Sequence, residues 1–142
     1  MPQPAVLFLC TGNSARSQMA EGWLRALAGE SVEVLSAGLD PKGVNPYAID
    51  AMREVGVDIS GHTSKDVRDL LTRRVDVVVT VCDNAKEKCP VFPFAFTFVH
   101  WSFPDPAALP DGPEKTSAFR DVRDQLRRRI EEELLPTLRP YR

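Results

Sequence analysis

Histidine is scarce in this sequence: His62 and His100 are the only two, and its three cysteines form no C-x-x-C pair. A four-ligand zinc site therefore lacks its ligands, and no metal is expected. An odd cysteine count argues against a framework of structural disulfides and points to catalytic or redox thiols in a reducing compartment. An excess of one charge is missing too. Eighteen basic against twenty acidic residues give a formal net charge of −2, so the broad basic face that would suit nucleic acid or an anionic membrane is not expected. No apolar run is long enough to span a membrane, and the short one before Cys10 has no basic region ahead of it, which predicts a cytoplasmic protein. Without repeats, low-complexity tracts or linkers, residues 1–142 are expected to form one domain with a proper core, and a monomer.

What the chain does have is an oxyanion trap with a thiol at its base. The apolar stretch Val6-Leu7-Phe8-Leu9 runs into Cys10-Thr11-Gly12-Asn13-Ser14-Ala15-Arg16-Ser17, and a helical pattern follows. A loop of small and polar residues between strand and helix lets successive backbone N–H groups point inward, with the positive end of the helix dipole behind them. Gly12 and Asn13 tolerate the restricted dihedrals such a loop needs. Arg16 offers a planar fork for two oxygens. The inward amides, Arg16 and the Ser17 hydroxyl favour Cys10 as a thiolate beneath a bound tetrahedral anion. Thr11, Gly12, Asn13, Ser14, Ala15, Arg16 and Ser17 are thus the candidate oxyanion-binding residues. The plainer reading of Cys10 is a buried cysteine at a strand end. A nucleotide P-loop does not fit, because no Gly-Lys-Ser or Gly-Lys-Thr is present there.

Strand-like runs at 5–9, 32–36, 75–81 and 96–99 alternate with helical patterns near 14–28, 46–55, 65–71 and 117–135. In the last, Phe119, Val122, Leu126, Ile130 and Leu134 share one face, and the Arg127-Arg128-Arg129 and Glu131-Glu132-Glu133 runs read as a solvated face with i,i+4 pairs. The alternation predicts an α/β fold: a four-stranded parallel sheet with helices on both faces and a ligand site at the carboxyl ends of the strands. Cys10 and Cys82 end strands there, and Asp105 follows the fourth strand, so the three are expected to converge on one rim. Proline-rich residues 102–116 lack periodicity and read as a lid. Asp105 within it is either a general acid or the cap of a proline turn. Cys82 and Cys89 flank a polar stretch; a short helix there would hold them too far apart to bond, so they are either a dithiol that pairs when the stretch unwinds or two independent thiols.

The loop, together with Gln18-Met19-Ala20-Glu21-Gly22, Ser36-Ala37-Gly38, Gly43-Val44-Asn45-Pro46, His62-Thr63-Ser64, Cys82, Cys89, His100-Trp101 and Asp105-Pro106, resembles the thioredoxin-coupled arsenate reductases built on the low-molecular-weight tyrosine phosphatase fold. Ala15 stands where many phosphatases of this fold have a second cysteine. The resemblance implies reduction of arsenate to arsenite, with phosphate as competitor, thioredoxin as reductant and no cofactor. It implies Cys10 as nucleophile on arsenic, Arg16 as oxygen clamp and Asp105 as acid. Cys82 would then attack Cys10, and Cys89 would attack Cys82. Some members hold a potassium ion through residues matching Asn13, Glu21 and Ser36 and an aspartate where this chain has Lys65, which implies either an ammonium in place of the ion or a lysine turned to solvent. The competing enzyme reading is a tyrosine phosphatase or small phosphomonoesterase using the same loop. A non-enzymatic sensor holding arsenite on three thiols would leave Arg16 and Asp105 without work.

Overall fold

A computed structural model describes residues 3–90 and 92–138. Two strands with unbroken apolar character lie at its centre. β1 (Ala5–Cys10) and β3 (Val75–Thr80) are buried at every position, as expected for inner parallel strands covered on both faces. β2 (Glu33–Gly38) and β4 (Ala95–His100) flank them, giving an all-parallel sheet of order β2-β1-β3-β4. Both β1 and β3 deliver their carboxyl ends to the same rim, with Leu9 beside Thr80 and Cys10 beside Gly38.

α1 (Arg16–Ala28) buries Met19, Ala20, Trp23 and Leu24. α2 (Pro46–Glu54) starts where its own chemistry dictates: proline at the first turn loses no needed N–H, and the Asn45 side chain accepts from Tyr47 N at 2.8 Å. α3 (Asp83–Glu87) is a single short turn that buries only Ala85. α4 (Pro113–Arg129) continues through a π turn at Ile130–Leu134 into α5 (Leu135–Leu138). Pro136 has no N–H for the carbonyl four residues back, which accounts for a widened turn just before it. Arg123 ties α4 to its neighbours: its Nη1 donates to Ala51 O and to Glu54 Oε1, both at 2.9 Å, and its carbonyl accepts from Trp23 Nε1 at 2.9 Å. Arg120 and Arg123 together hold the Glu54 carboxyl down to about 2.

The expected pattern of strands and helices is met, with two corrections. The helix expected at 65–71 is a short 3-10 turn, Val67–Leu70, because the Asp66 side chain caps Arg68 N and the backbone before it is drawn alongside β2 by Gly38 N donating to Lys65 O. The irregular stretch expected over 102–116 is shorter than the lack of periodicity suggested: a 3-10 turn occupies Pro106–Ala108, and α4 begins at Pro113 rather than at 117. The arginine and glutamate runs do pair, Arg127 with Glu131 at 3.3 Å and Arg129 with Glu133 at 2.6 Å. The arginines also lie over buried tryptophans, Arg127 at 5.0 Å from the Trp23 ring centre and Arg129 at 5.9 Å from that of Trp101.

Gly38 is where the sheet and the Cys10 loop touch. A Cβ there would sit 2.7 Å from Thr11 O and 2.8 Å from Asn13 N, both backbone atoms that cannot yield without moving the loop. Overpacking of this kind costs about 1–3 kcal/mol. Gly38→Ala is therefore expected to lower the Tm by several degrees in thermal unfolding and to weaken phosphate protection of Cys10 against alkylation, whereas Gly61→Ala, where nothing lies within 4 Å, changes neither.

Candidate active site

Residues 11–15 form the bend between β1 and α1, and Asn13 makes the bend possible. Among the described residues it is the only non-glycine with positive φ, at 46°, and it is fully buried. Asparagine accepts this conformation more readily than most residues, and here its side chain is used completely. Nδ2 donates to Ser17 Oγ at 2.8 Å and to Ser36 Oγ at 2.9 Å, while Oδ1 accepts from Lys65 N at 2.8 Å and Gln18 Nε2 at 3.1 Å. Its carbonyl accepts from Ser64 Oγ at 2.6 Å. Because Ser17 Oγ already receives a proton from Asn13, its own hydrogen is free to donate to Cys10 Sγ, 2.8 Å away. Gly12, expected to share the unusual backbone, does not have positive φ. Its lack of a side chain leaves room for Lys42, whose Cγ would lie 3.2 Å from a Cβ.

α1 opens without a competing cap. Ala15 at its N-cap makes no side-chain bond, and no acidic residue occupies its first turn, so its N-terminal N–H groups remain free for an external anion. A cavity of about 200 Å³ lies over them, lined by Cys10, Thr11, Gly12, Ser14, Ala15 and Arg16 and closed by Lys42, Asp105 and Ala107. Arg16 is mostly buried; its Nη1 donates to Phe103 O at 3.0 Å and its Nη2 stands 3.8 Å from Asp105 Oδ2. Asp105 caps the proline turn, as one of its two readings expected. Its Oδ1 accepts from Ala107 N at 3.0 Å, and Oδ2 faces the arginine.

Cys82 does not line this cavity but adjoins it. It caps α3, accepting from Ala85 N at 3.4 Å, and lies 3.4 Å from Thr11 Oγ1. Asn84 Nδ2 donates to the same Thr11 oxygen at 2.9 Å, which leaves the threonine hydrogen for the sulfur. The first residue of the loop thus touches the second thiol. Cys89 lies elsewhere, half-buried in a separate cavity of about 230 Å³ with Thr80, Lys86, Phe98, Val99 and His100. Burial pushes its thiol up from the ordinary 9.0. The expected convergence therefore holds for Cys10 and Asp105 and reaches Cys82 through Thr11, while Cys89 lies apart from it. All three thiols are free.

Sequence reasoning missed Gly38, Lys42 and the Phe103 carbonyl. A signal existed for the glycine, since it ends a strand beside a loop that must bend sharply. None existed for a backbone carbonyl. Both histidines are held by hydrogen bonds. His100 bridges Thr80 Oγ1 at 2.7 Å and Asp83 Oδ1 at 2.9 Å, and the Asp83 carboxyl is lowered chiefly by that contact. His62 Nδ1 lies 3.0 Å from Gln18 Oε1, and burial lowers its protonation range despite nearby Glu21. Since Gln18 Nε2 is committed to acceptors, His62 is the donor through Nδ1.

A thiol under a ring of helix-terminal amides, with an arginine fork and a carboxyl at the rim, is a site for chemistry on tetrahedral oxyanions. Residues 5–139 match the low molecular weight phosphotyrosine protein phosphatase family, and the chain belongs to it. Within it, the chain is 47% identical over 132 residues to "Arsenate reductase 2" of Staphylococcus saprophyticus, covering 93% of this chain and 97% of that one. A solved structure described as an arsenate reductase in the phosphate binding state superposes with a TM-score of 0.83 at 35% identity, covering 96% of this chain and 99% of the other. A thioredoxin-dependent arsenate reductase from Corynebacterium glutamicum gives 0.72 at 30% identity, covering 99% of this chain and 64% of that longer one.

The larger cavity behind the loop, about 530 Å³, is lined by Glu21, Arg25, His62, Thr63 and Lys65 and by none of residues 10–16. Lys65 points inward: its Nζ donates to Thr63 O at 2.6 Å and stands 3.7 Å from the buried Glu21 carboxylate, which also accepts from Ser36 Oγ. With an ammonium at that carboxylate, these residues do not fit a potassium ion, because the cation would meet a fixed like charge. Melting temperature should accordingly be the same in potassium and sodium salts at matched ionic strength, while Lys65→Asp acquires a potassium-specific rise. A clear potassium-specific rise in the unmodified chain would contradict the replacement.

Proposed function

We propose that this chain reduces arsenate to arsenite, using Cys10 as nucleophile and Cys82 and Cys89 as the relay that carries the resulting disulfide outward. The observation that carries the reading is the contact of Cys82 with Thr11, which sets a second thiol against the first residue of the nucleophile's own loop. Phosphoryl transfer has no use for it. In the cradle, Cys10 Sγ attacks arsenic, Arg16 and the loop amides hold the oxygens, and Asp105 gives a proton to the departing hydroxide, which leaves as water. Cys82 Sγ then attacks Cys10 Sγ. The sulfur–arsenic bond breaks with its electron pair remaining on arsenic, so arsenic gains two electrons and the two thiolates lose them to a disulfide. Cys89 Sγ attacks Cys82 Sγ and frees Cys10 as a thiolate. A dithiol carrier of the thioredoxin type reduces the Cys82 to Cys89 bond, a reading supported by the thioredoxin-dependent relative above.

The relay needs the body of α3 to open, and little buried surface holds it beyond the contacts at its start. A helix of five residues with one buried side chain falls far below the length at which helices are stable alone. The second reading is a phosphatase, since the same cradle serves phosphate esters. Among the described residues no aromatic side chain lines the Cys10 cavity, so a phenyl ring has nothing to stack on, whereas Lys42 and Arg16 suit a small, fully charged oxyanion.

Three measurements test the proposal. Cys10→Ser is expected to abolish both arsenate-dependent NADPH consumption, assayed with thioredoxin and its reductase, and hydrolysis of p-nitrophenyl phosphate. Cys82→Ser and Cys89→Ser should each stop multiple turnover with arsenate and leave phosphate ester hydrolysis largely intact. Mass spectrometry of the arsenate-treated Cys89→Ser protein should show a Cys10 to Cys82 disulfide, and normal turnover in either variant would sink the relay.

The raised Cys89 thiol sets a pH dependence. Its folded value lies above the ordinary 9.0, so below that pH the resting fold holds it protonated and unreactive. Iodoacetamide labelling of Cys89 in the reduced protein should therefore rise with pH through a midpoint above that of free cysteine. Mild urea that loosens residues 83–87 should move the midpoint down; an unchanged midpoint would mean that burial does not control this thiol.

A further inference from the structure

Phenylalanines are seldom left in water side by side. On β4, the edge strand of the sheet, Phe96 and Phe98 are 67% and 56% exposed, and Phe94 just before the strand is 51% exposed. Phe96 and Phe98 are two apart and so point to the same face. His100 shares that face and reaches Asp83 at the start of α3, so the exposed rings lie on the side of the sheet that carries the thiol segment. Phe98 forms a wall of the cavity that holds Cys89. The rings are also held in place: Phe98 packs against Phe92 with centres 6.3 Å apart, and the Arg74 guanidinium stands 5.6 Å from the Phe96 ring centre.

We propose that Phe94, Phe96 and Phe98 form the docking surface for the dithiol carrier protein that reduces Cys89. The proposal rests on the relay described above and names where its partner binds. The occupant follows from what the patch surrounds. Cys89 is the least buried of the three thiols, and a protein reductant must bring its own sulfur into line with the Cys82 to Cys89 bond, which requires contact surface around Cys89. An apolar, prearranged patch against the cavity wall supplies it at little ordering cost. Lys86 lines the same cavity, a cationic residue that suits the approach of a thiolate. A small dithiol would gain nothing from three phenyl rings.

The exchange balances. The carrier's thiolate attacks Cys89 Sγ, the Cys82 to Cys89 bond breaks, and Cys82 leaves as a thiolate. The carrier's second thiol, losing its proton to solvent, attacks its partner sulfur in the mixed disulfide and releases Cys89, which is protonated. The carrier ends as a disulfide, two electrons poorer, and the chain regains two thiols.

The test uses the full chain oxidised with diamide, the disulfide located by mass spectrometry, so that arsenate chemistry plays no part. Reduction by thioredoxin and by dithiothreitol is compared for the unmodified chain, Phe96→Ser/Phe98→Ser, and Phe94→Ser/Phe96→Ser, the last of which keeps the Phe92–Phe98 contact. Each double variant should lose about tenfold or more in the second-order rate constant with thioredoxin, with the dithiothreitol rate within twofold of the unmodified chain. Equal thioredoxin rates in all three proteins would overturn the docking surface and leave the relay standing. A disulfide that never maps to Cys82 and Cys89 would sink the relay and the docking surface with it. A dimer in sedimentation that dissociates in Phe96→Ser/Phe98→Ser would assign the patch to a second copy and refute the carrier.

Discussion

The buried side chain of Asn13 is the constraint on which the site depends. Four hydrogen bonds run from one amide to α1, β2 and the segment before the 3-10 turn. All four of its donor and acceptor positions are occupied, so the orientation of the amide is set by the network. The consequences spread in two directions. Toward the substrate side, Ser17 is oriented so that its hydrogen is available to Cys10. Toward the interior, Ser36 receives a proton from Asn13 and passes its own to Glu21, and Gln18 and Lys65 lock the chain at residues 62–65 against the loop. Networks of this kind are strong when complete and costly when one member is lost. The loop is thereby tied to α1, to β2 and to residues 62–65.

Rigidity at the cradle contrasts with what lies around Cys82. The sulfur caps a helix of one turn, and the hydroxyl of Thr11 and the backbone of Ala85 are its polar contacts. On the outer side, His100 clasps Asp83 while also bonded to Thr80, so the start of α3 is fixed to β3 and β4 even though its body buries almost nothing. An oxyanion cradle must be preorganised, because its donors act only if they already point where charge will develop. A thiol relay must move, because sulfurs more than one turn apart in a helix cannot bond. The proposed mechanism makes both demands, and they fall on different elements, the first on the bend between β1 and α1 and the second on a helix too short to stand alone.

Local pattern carried most of this into the sequence. The buried runs of β1 and β3 announce inner parallel strands, and the crossover rule then sends Cys10, Cys82 and Asp105 toward the carboxyl ends of the strands. The Cys10 to Ser17 loop was legible because each of its residues has its own chemical reason to be there. Long-range partners were not legible. That Lys65 faces Glu21 depends on Gly38 holding residues 65–66 beside β2, a contact between segments far apart in the chain. The start of α4 at Pro113 was hidden by four prolines that together read as irregular, although a proline is welcome at the first turn of a helix. The separate cavity of Cys89 was hidden for a similar reason. Its walls come from β3, α3 and β4 at once, and no spacing in the sequence encodes their meeting.

Asp105 shows how one residue can serve both the fold and the site. With Oδ1 accepting from Ala107 N, Oδ2 is left toward Arg16 at 3.8 Å. That distance is longer than a hydrogen-bonded ion pair, so the guanidinium is not consumed by the carboxylate; its nearer bond goes to the Phe103 carbonyl, a neutral acceptor. An arginine clamped by its own aspartate would have to break that pair before binding an anion. Here a main-chain carbonyl aims the fork, and the carboxylate pairs with it only at 3.8 Å, so the guanidinium keeps N–H donors for an incoming oxyanion without first breaking a hydrogen-bonded pair.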